Sequence, residues 1–484
     1  MEKLRLQAGV AVVLAAMVMI VATPTTVAQV AAATVTIHRI SGPSPLAPCN
    51  PVNDATGTRG FEQATSLVAD PRDSNHLAAV WTQDFEDGSV LSVSRDAGTT
   101  WHAVGVSGQM PACEGDTEYD TAQNPHAAVG PDGTVYVVSN ISNSNTWQTG
   151  HGQQAVRVNA TRDDGATWVG STTLETAVSL DWVWMAADPQ KAGTAYVLWG
   201  HREVGPAPTD PVNGVISAAW EYVARTTDFG KTWTRRDATT YPHPPTGSTY
   251  QFGRLAVIPD GSLVDVFTQC DPTTQCVSGG GVLHASRSTD GGAHWSAVGQ
   301  PIVLPSGWFA STVTRDGEVL VSTATRAADG TWQMLLYRST DAGTTWGTPV
   351  TILAGDPVQP VWSTMAVAGD GSIGVLYYDK RNAPPASVTM DPSACQQVDD
   401  RTCATDAWLT NSRGSSWIET HLAGPFEVTK QNGADCCHGV GEWQGLIGRS
   451  RGFFATLAWG PSDTADPNQQ VVDGPTDVFF ATVR

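Results

Sequence analysis

The chain has 484 residues, 41% hydrophobic and 15% charged, which is a globular composition. Lys+Arg 27 against Asp+Glu 47 leaves a net charge of −20, which repels polyanions and argues against nucleic acid or an anionic membrane surface as a partner. Forty-eight glycines and 30 prolines suit many tight turns and few helices.

The first 33 residues read as an export leader. Glu2, Lys3 and Arg5 form a charged head, and Gly9 to Ala22 an apolar run too short to cross a bilayer comfortably. Small-residue cleavage signals follow at Thr26-Val27-Ala28 and Ala31-Ala32-Ala33, and no cysteine follows that could take a lipid. The alternative is an uncleaved anchor. No later segment could span a membrane. The expectation is a secreted, monomeric protein whose single domain covers residues 34–484.

Next come repeats. An octapeptide, [Ser/Thr]-x-Asp-x-Gly-x-[Thr/His]-Trp, appears at Ser94–Trp101, Thr161–Trp168, Thr226–Trp233, Ser288–Trp295 and Ser339–Trp346. A degenerate sixth copy runs from Thr410 to Trp417, with Ser412 where the aspartate belongs. From Asp96 to Asp163, Asp228, Asp290, Asp341 and Ser412 the steps are 67, 65, 62, 51 and 71 residues, the length of a four-stranded unit. The hydroxyl and carboxylate are acceptors for turn amides, glycine tolerates positive φ, and tryptophan pins the turn with a large apolar plate. A turn that recurs in every unit cannot be one active site, so these aspartates are structural.

A second pattern counts the units. Apolar strands ending in Gly/Pro/Asp turns begin near residues 66, 126, 184, 254, 310, 364 and 445, each followed by a second apolar strand. That predicts an all-β, seven-bladed β-propeller, with six blades if one unit is irregular. The last unit stops after Asp477–Arg484, where its box would begin, so residues 34–40 are expected to supply its missing outer strand and close the ring.

Strand direction sorts the loops. The octapeptides join third to fourth strands and mark one face. The longer connections, with all eight cysteines, fall on the other. An even cysteine count fits an oxidising compartment and a disulfide framework. Cys49–Cys113, Cys270–Cys276 and Cys395–Cys403 are the expected pairs, which leaves Cys436 with Cys437. An alternative links Cys395 and Cys403 to Cys436 and Cys437. There is no CxxC pair, and Cys436-Cys437-His438 lacks ligand spacing, so neither a metal nor a cofactor is expected. Trp147, Trp182, Trp184, Trp308, Trp362 and Trp443 fall in or beside the long loops, where they either stack on sugars or pack between blades.

The octapeptides resemble the Asp boxes of the sialidase (neuraminidase) superfamily, over almost the whole mature chain. Other Asp-box propellers share the turn, so the likeness is specific for fold. It implies glycoside hydrolysis by a tyrosine nucleophile with a glutamate partner, an aspartate acid/base and arginines that grip the substrate. Carried over residue by residue, it points to Asp84 as acid/base, Tyr378 as nucleophile and Glu442 as its partner. Arg254 and Arg381 would grip the substrate, with Asp379, Trp182 and Trp443 as further contacts. Asp87 lies close to Asp84 in sequence, and Arg202 follows the second strand of the third unit. The family's Arg-Ile-Pro motif is absent: the first inner strand reads Phe61-Glu62-Gln63-Ala64-Thr65-Ser66-Leu67. Two functions remain in view, a sialidase-like glycosidase and a non-catalytic propeller that binds a glycan or protein.

Overall fold

The computed structural model describes residues 33–49, 62–84, 86–143, 153–205, 215–236, 249–270, 281–296, 299–304, 309–355, 360–381, 404–427, 443–460 and 476–484. Among them are seven antiparallel sheets of four strands each. Blade 1 is β2 (Gln63–Asp70), β3 (Asp73–Gln83), β4 (Gly88–Ser94) and β5 (His102–Gly105). Blade 2 is β6 (Thr121–Val129), β7 (Val135–Ser142), β8 (Gln154–Thr161) and β9 (Val169–Ala177). Blade 3 is β10 (Leu180–Ala187), β11 (Ala195–Gly205), β12 (Val215–Thr226) and β13 (Thr234–Arg236). Blade 4 is β14 (Thr249–Val257), β15 (Leu263–Cys270), β16 (Gly281–Ser288) and β17 (Ile302–Leu304). Blade 5 is β18 (Phe309–Val313), β19 (Val319–Arg326), β20 (Trp332–Ser339) and β21 (Val350–Ala354). Blade 6 is β22 (Val361–Val367), β23 (Ile373–Asp379), β24 (Ala404–Arg413) and β25 (Ser416–Glu427).

Blade 7 joins β26 (Gly445–Gly448), β27 (Phe453–Trp459) and β28 (Asp477–Val483) to the N-terminal strand β1 (Val35–Arg39). The register of β1 on β28 runs from Val35↔Val483 to Arg39↔Phe479. Pairing the two chain ends removes an exposed sheet edge and ties the ring shut. The apolar core is distributed over the seams. One cluster spans blades 7 and 1, another blades 1 and 2, another blades 2 and 3, and another blades 5 and 6.

Each complete Asp box folds the same way. Ser94 Oγ donates to Asp96 Oδ1 at 2.8 Å and accepts from Gly98 N at 2.9 Å. Asp96 takes the Thr100 amide at 2.8 Å and its hydroxyl at 2.7 Å. The boxes at Asp163, Asp228, Asp290 and Asp341 repeat this, with His294 in the threonine's role beside Asp290. These bonds, led by the Thr100 amide, hold Asp96 down to about 2. The sixth copy folds differently. Without an aspartate to collect turn amides, β24 and β25 meet in a two-residue hairpin with Arg413 opposite Ser416, and the Ser412 hydroxyl accepts from Ile373 N.

The box glycine is demanding at the closing seam. Gly98 has φ +89, and a Cβ there would run into the Phe480 ring of β28. Trp101 packs on the same ring at 5.3 Å, and His38 Nε2 donates to the Gly98 carbonyl at 2.8 Å. Gly371, at φ +85, faces open space. We expect Gly98→Ala to cost about 2–4 kcal/mol, from left-handed strain plus overpacking, and Gly371→Ala about 1 kcal/mol from strain alone. Urea denaturation of the two variants measures the difference.

Candidate functional site

The inner strands deliver side chains to the channel through a shared irregularity. β2, β6, β10, β14 and β22 each carry one extra residue relative to their partner strand. At each bulge a non-glycine residue has positive φ: Ala64, Asn124, Trp182, Phe252 and Trp362. Such bulges re-aim the side chains around them. Trp182 meets the Phe252 ring at 4.1 Å and the Trp443 ring at 4.8 Å, and all three are buried. Together with Ala64 and Phe309 they belong to one apolar cluster.

Arg254 is caged by these aromatics. Its guanidinium carbon stands 4.5 Å from the Trp184 ring centre and 4.6 Å from that of Trp443. It lines a central cavity of about 230 Å³ whose wall includes residues of all seven inner strands. His126, also on this wall, packs on Trp184 at 3.9 Å, and burial and then the Arg254 charge push it down to about 3. Glu221, behind Arg254, accepts from Gly253 N at 2.6 Å, and burial and then neighbouring Asp265 raise its pKa well above the usual range. Of the residues expected to contact substrate, Arg254 and Trp443 line this cavity, and Trp182 packs on Trp443.

The blade 6 residues are also engaged. Tyr378 is 1% exposed, and its hydroxyl donates to the Ala458 carbonyl at 2.9 Å across the seam to blade 7. Burial raises its pKa. A nucleophilic phenol needs a carboxylate to take its proton, and this one is bonded to a backbone oxygen. Tyr377, on the other side of β23, donates to Glu419. Arg381 binds Glu419 through two nitrogens, both at 2.6 Å, and Asp379 through Nε at 2.7 Å, and lies 4.0 Å from the Trp408 ring centre. Asp379 is fully buried, and burial pushes it up to about 6 against the pull of Arg381. Arg202 pairs with Asp181 at 2.5 Å. Glu442 lies outside the described residues, as do Trp147, Trp308, Cys276, Cys395, Cys403, Cys436 and Cys437. Cys49–Cys113 is formed, and Cys270 is also disulfide-bonded.

Asp84 stands in a different setting. It opens the turn between β3 and β4 with φ 53, and Glu86 in the same turn has φ 77. Two non-glycine residues in the left-handed region within three positions mark a strained turn. Asp84 is 1% exposed and accepts from Ser44 Oγ on one oxygen and from Gln83 Nε2, at 2.8 Å, on the other. The same Gln83 nitrogen reaches Glu62 Oε1 at 2.6 Å, and Trp81 Nε1 fixes the amide by donating to Gln83 Oε1 at 2.9 Å. Glu62 is driven well above the usual carboxyl range by burial and then by Asp477. Half-buried Asp87 is pushed up to about 8 by desolvation, then by Asp84, Asp120 and Glu86. Sequence reasoning missed Glu62, Gln83 and Ser44. The available signal was a glutamate and a glutamine flanking otherwise apolar strands beside Asp84.

A family model for the BNR repeat-like domain matches residues 92–375, a span that holds all five complete Asp boxes. The chain belongs to the BNR repeat-like family. No curated protein matches this BNR propeller. Among solved structures it is similar to a protein of unknown function from Dyadobacter fermentans, at 13% identity over 88% of this chain and 94% of that one, with a TM-score of 0.45. It is similar to an α-L-arabinanase of Penicillium chrysogenum complexed with arabinobiose, at 14% identity over 71% and 93%, TM-score 0.43. A Trypanosoma rangeli sialidase in complex with sialic acid shows 12% identity over 88% and 54%, TM-score 0.41. Among the described residues no helix is long and apolar enough to cross a membrane, and no three His, Cys, Asp or Glu side chains converge as a metal set.

The blade 6 network is expected to act in stability. Arg381→Ala should cost about 2–4 kcal/mol, because Asp379 and Glu419 lose their shared donor. Tyr378→Phe should cost about 1 kcal/mol for one hydrogen bond. Chemical denaturation reports both.

Proposed function

We propose that this BNR propeller is a secreted glycoside hydrolase whose working carboxyls are Asp84 and Asp87 on the β3–β4 turn. The observation that carries the reading is Asp87, partly open to solvent, with its carboxyl pushed up to about 8 beside the hydrogen-bonded Asp84. At neutral pH Asp87 holds a proton that it can give to a glycosidic oxygen. Asp84, which accepts from Ser44 and Gln83, is the carboxylate that supports the sugar cation or activates water. The formed Cys49–Cys113 bond and the leader-like first 33 residues support export.

The substrate is a glycan without an anionic group at the reacting sugar. Arg381 and Arg202 are paired with acids, and Arg254 is held among the Trp184 and Trp443 rings. The charges that act on Asp87 are Asp84, Asp120 and Glu86, all acidic. A carboxylated or sulfated sugar would meet repulsion there.

A panel of fluorogenic glycosides tests the reading. Asp84→Asn and Asp87→Asn should each lower kcat/KM by about 10²-fold or more, the usual worth of acid/base catalysis. Tyr378→Phe should change it little. Turnover should fall as pH rises through about 8, where Asp87 loses its proton. Full activity in Asp84→Asn would sink the assignment. Glycan-array binding with no turnover on any substrate would establish the binding-propeller alternative.

Stability carries the same signature. The folded protein holds the Asp87 proton more tightly than the unfolded chain, whose carboxyl titrates near 4, so stability declines from about pH 4 to about pH 8. Asp87→Asn should therefore raise Tm more at pH 8 than at pH 5, as thermal scans would show.

A further inference from the structure

Residues 41–49 form a strap that leaves β1 in blade 7 and crosses to blade 1. Its near end is sewn to β28: Ile40 N and Ser41 N donate to the Val478 carbonyl at 2.8 and 3.2 Å, and Ser41 Oγ donates to Asp477 Oδ1 at 2.7 Å. Its far end is Cys49, bonded to Cys113 in the short helix α1 (Pro111–Glu114). Between them Leu46 is 1% exposed and seats on Gly88, where any Cβ would come within 2.9 Å of Leu46 Cδ1. Gly88 is the first residue of β4, directly after the acid turn.

The strap also sets the direction of one hydroxyl. Ser44 Oγ accepts from Leu46 N at 3.1 Å, which leaves its proton to donate to Asp84 Oδ2. Gln83 holds the other oxygen, so the strap supplies one of the bonds that orient this carboxylate, which is 1% exposed.

We propose that Ser44 is a positioning residue for Asp84, and that the Cys49–Cys113 disulfide is the latch that keeps it in place. The inference rests on the reading of Asp84 as a working carboxylate, but its structural core does not. Substrate reaches Asp84 when the Ser44 hydroxyl yields its bond to the incoming sugar hydroxyl or water. The disulfide therefore acts on the reaction as well as on stability, because it fixes the strap beside the acid turn.

Two readouts test this. Carbodiimide coupling of an amine to exposed carboxyls, mapped by peptide mass spectrometry, needs no substrate. In the intact protein Asp87 should label and Asp84 should stay protected. Ser44→Ala, and separately Cys49→Ser/Cys113→Ser, should raise Asp84 labelling several-fold, and Ser44→Thr should restore protection. On an active glycoside, Ser44→Ala should lower kcat about tenfold, the worth of one hydrogen bond to a charged group, with KM nearly unchanged and Ser44→Thr restoring the rate. Unchanged Asp84 labelling in Ser44→Ala overturns the proposal whatever the activity. Increased labelling in Ser44→Ala with full activity in Asp84→Asn would keep the strap and discard the catalytic reading. Increased labelling in the cysteine variant alone would assign the cover to the latch and remove Ser44.

Discussion

The fold depends on five aspartates whose lone pairs are taken by their own turns. Asp96 and its counterparts each collect an amide and a side-chain donor four residues on, and each accepts a bond from the hydroxyl two residues before. The third and fourth strands of five blades therefore meet in the same turn, with its tryptophan set against the seam. Where the aspartate is missing, at Ser412, the turn collapses to a plain hairpin, and blade 6 is held at its other end by Arg381 between Asp379 and Glu419. Carboxylates bound this way are fixed in charge and geometry, which suits scaffolding and not proton transfer.

The acids that keep their protons sit on the opposite face, at and beside the β3–β4 turn, where carboxyls crowd. The contrast is physical. Box aspartates are surrounded by donors and held acidic, whereas Glu62 and Asp87 are desolvated beside other acids and hold their protons. Beside the central cavity, Trp182 packs edge-on against Phe252 and Trp443.

The repeats made the architecture legible, because period, turn chemistry and strand alternation all act locally. The octapeptide spacing gave the period, the strand-and-turn pattern gave the seven blades, and the unpaired last unit pointed to β1 as its partner. The site was less legible because function here turns on which way a side chain points. Arg254 and Trp182 lie where strands enter the channel, but one extra residue in β10 and in β14 changes the parity of every side chain beyond it. Tyr377 and Tyr378 are adjacent in sequence yet face Glu419 and Ala458 in different seams. Asp84 was legible as a strand-end acid. Its companions Ser44 and Glu62 were not, since they lie 40 and 22 residues away and meet it only through ring closure and an amide bridge.

The closing seam has a consequence for how the molecule can be displayed. Thr34 and Arg484 exchange backbone hydrogen bonds at 3.1 Å in both directions, so the two ends of the propeller touch. They do so where β1 begins and β28 finishes, on the face of the Asp boxes. A cargo, a surface or a tether joined at either end would hang from that side and leave the acid turn aimed into the opposite half-space. A short linker from residue 484 to residue 34, with new ends cut in any surface turn between blades, would yield a permuted ring with all seven sheets.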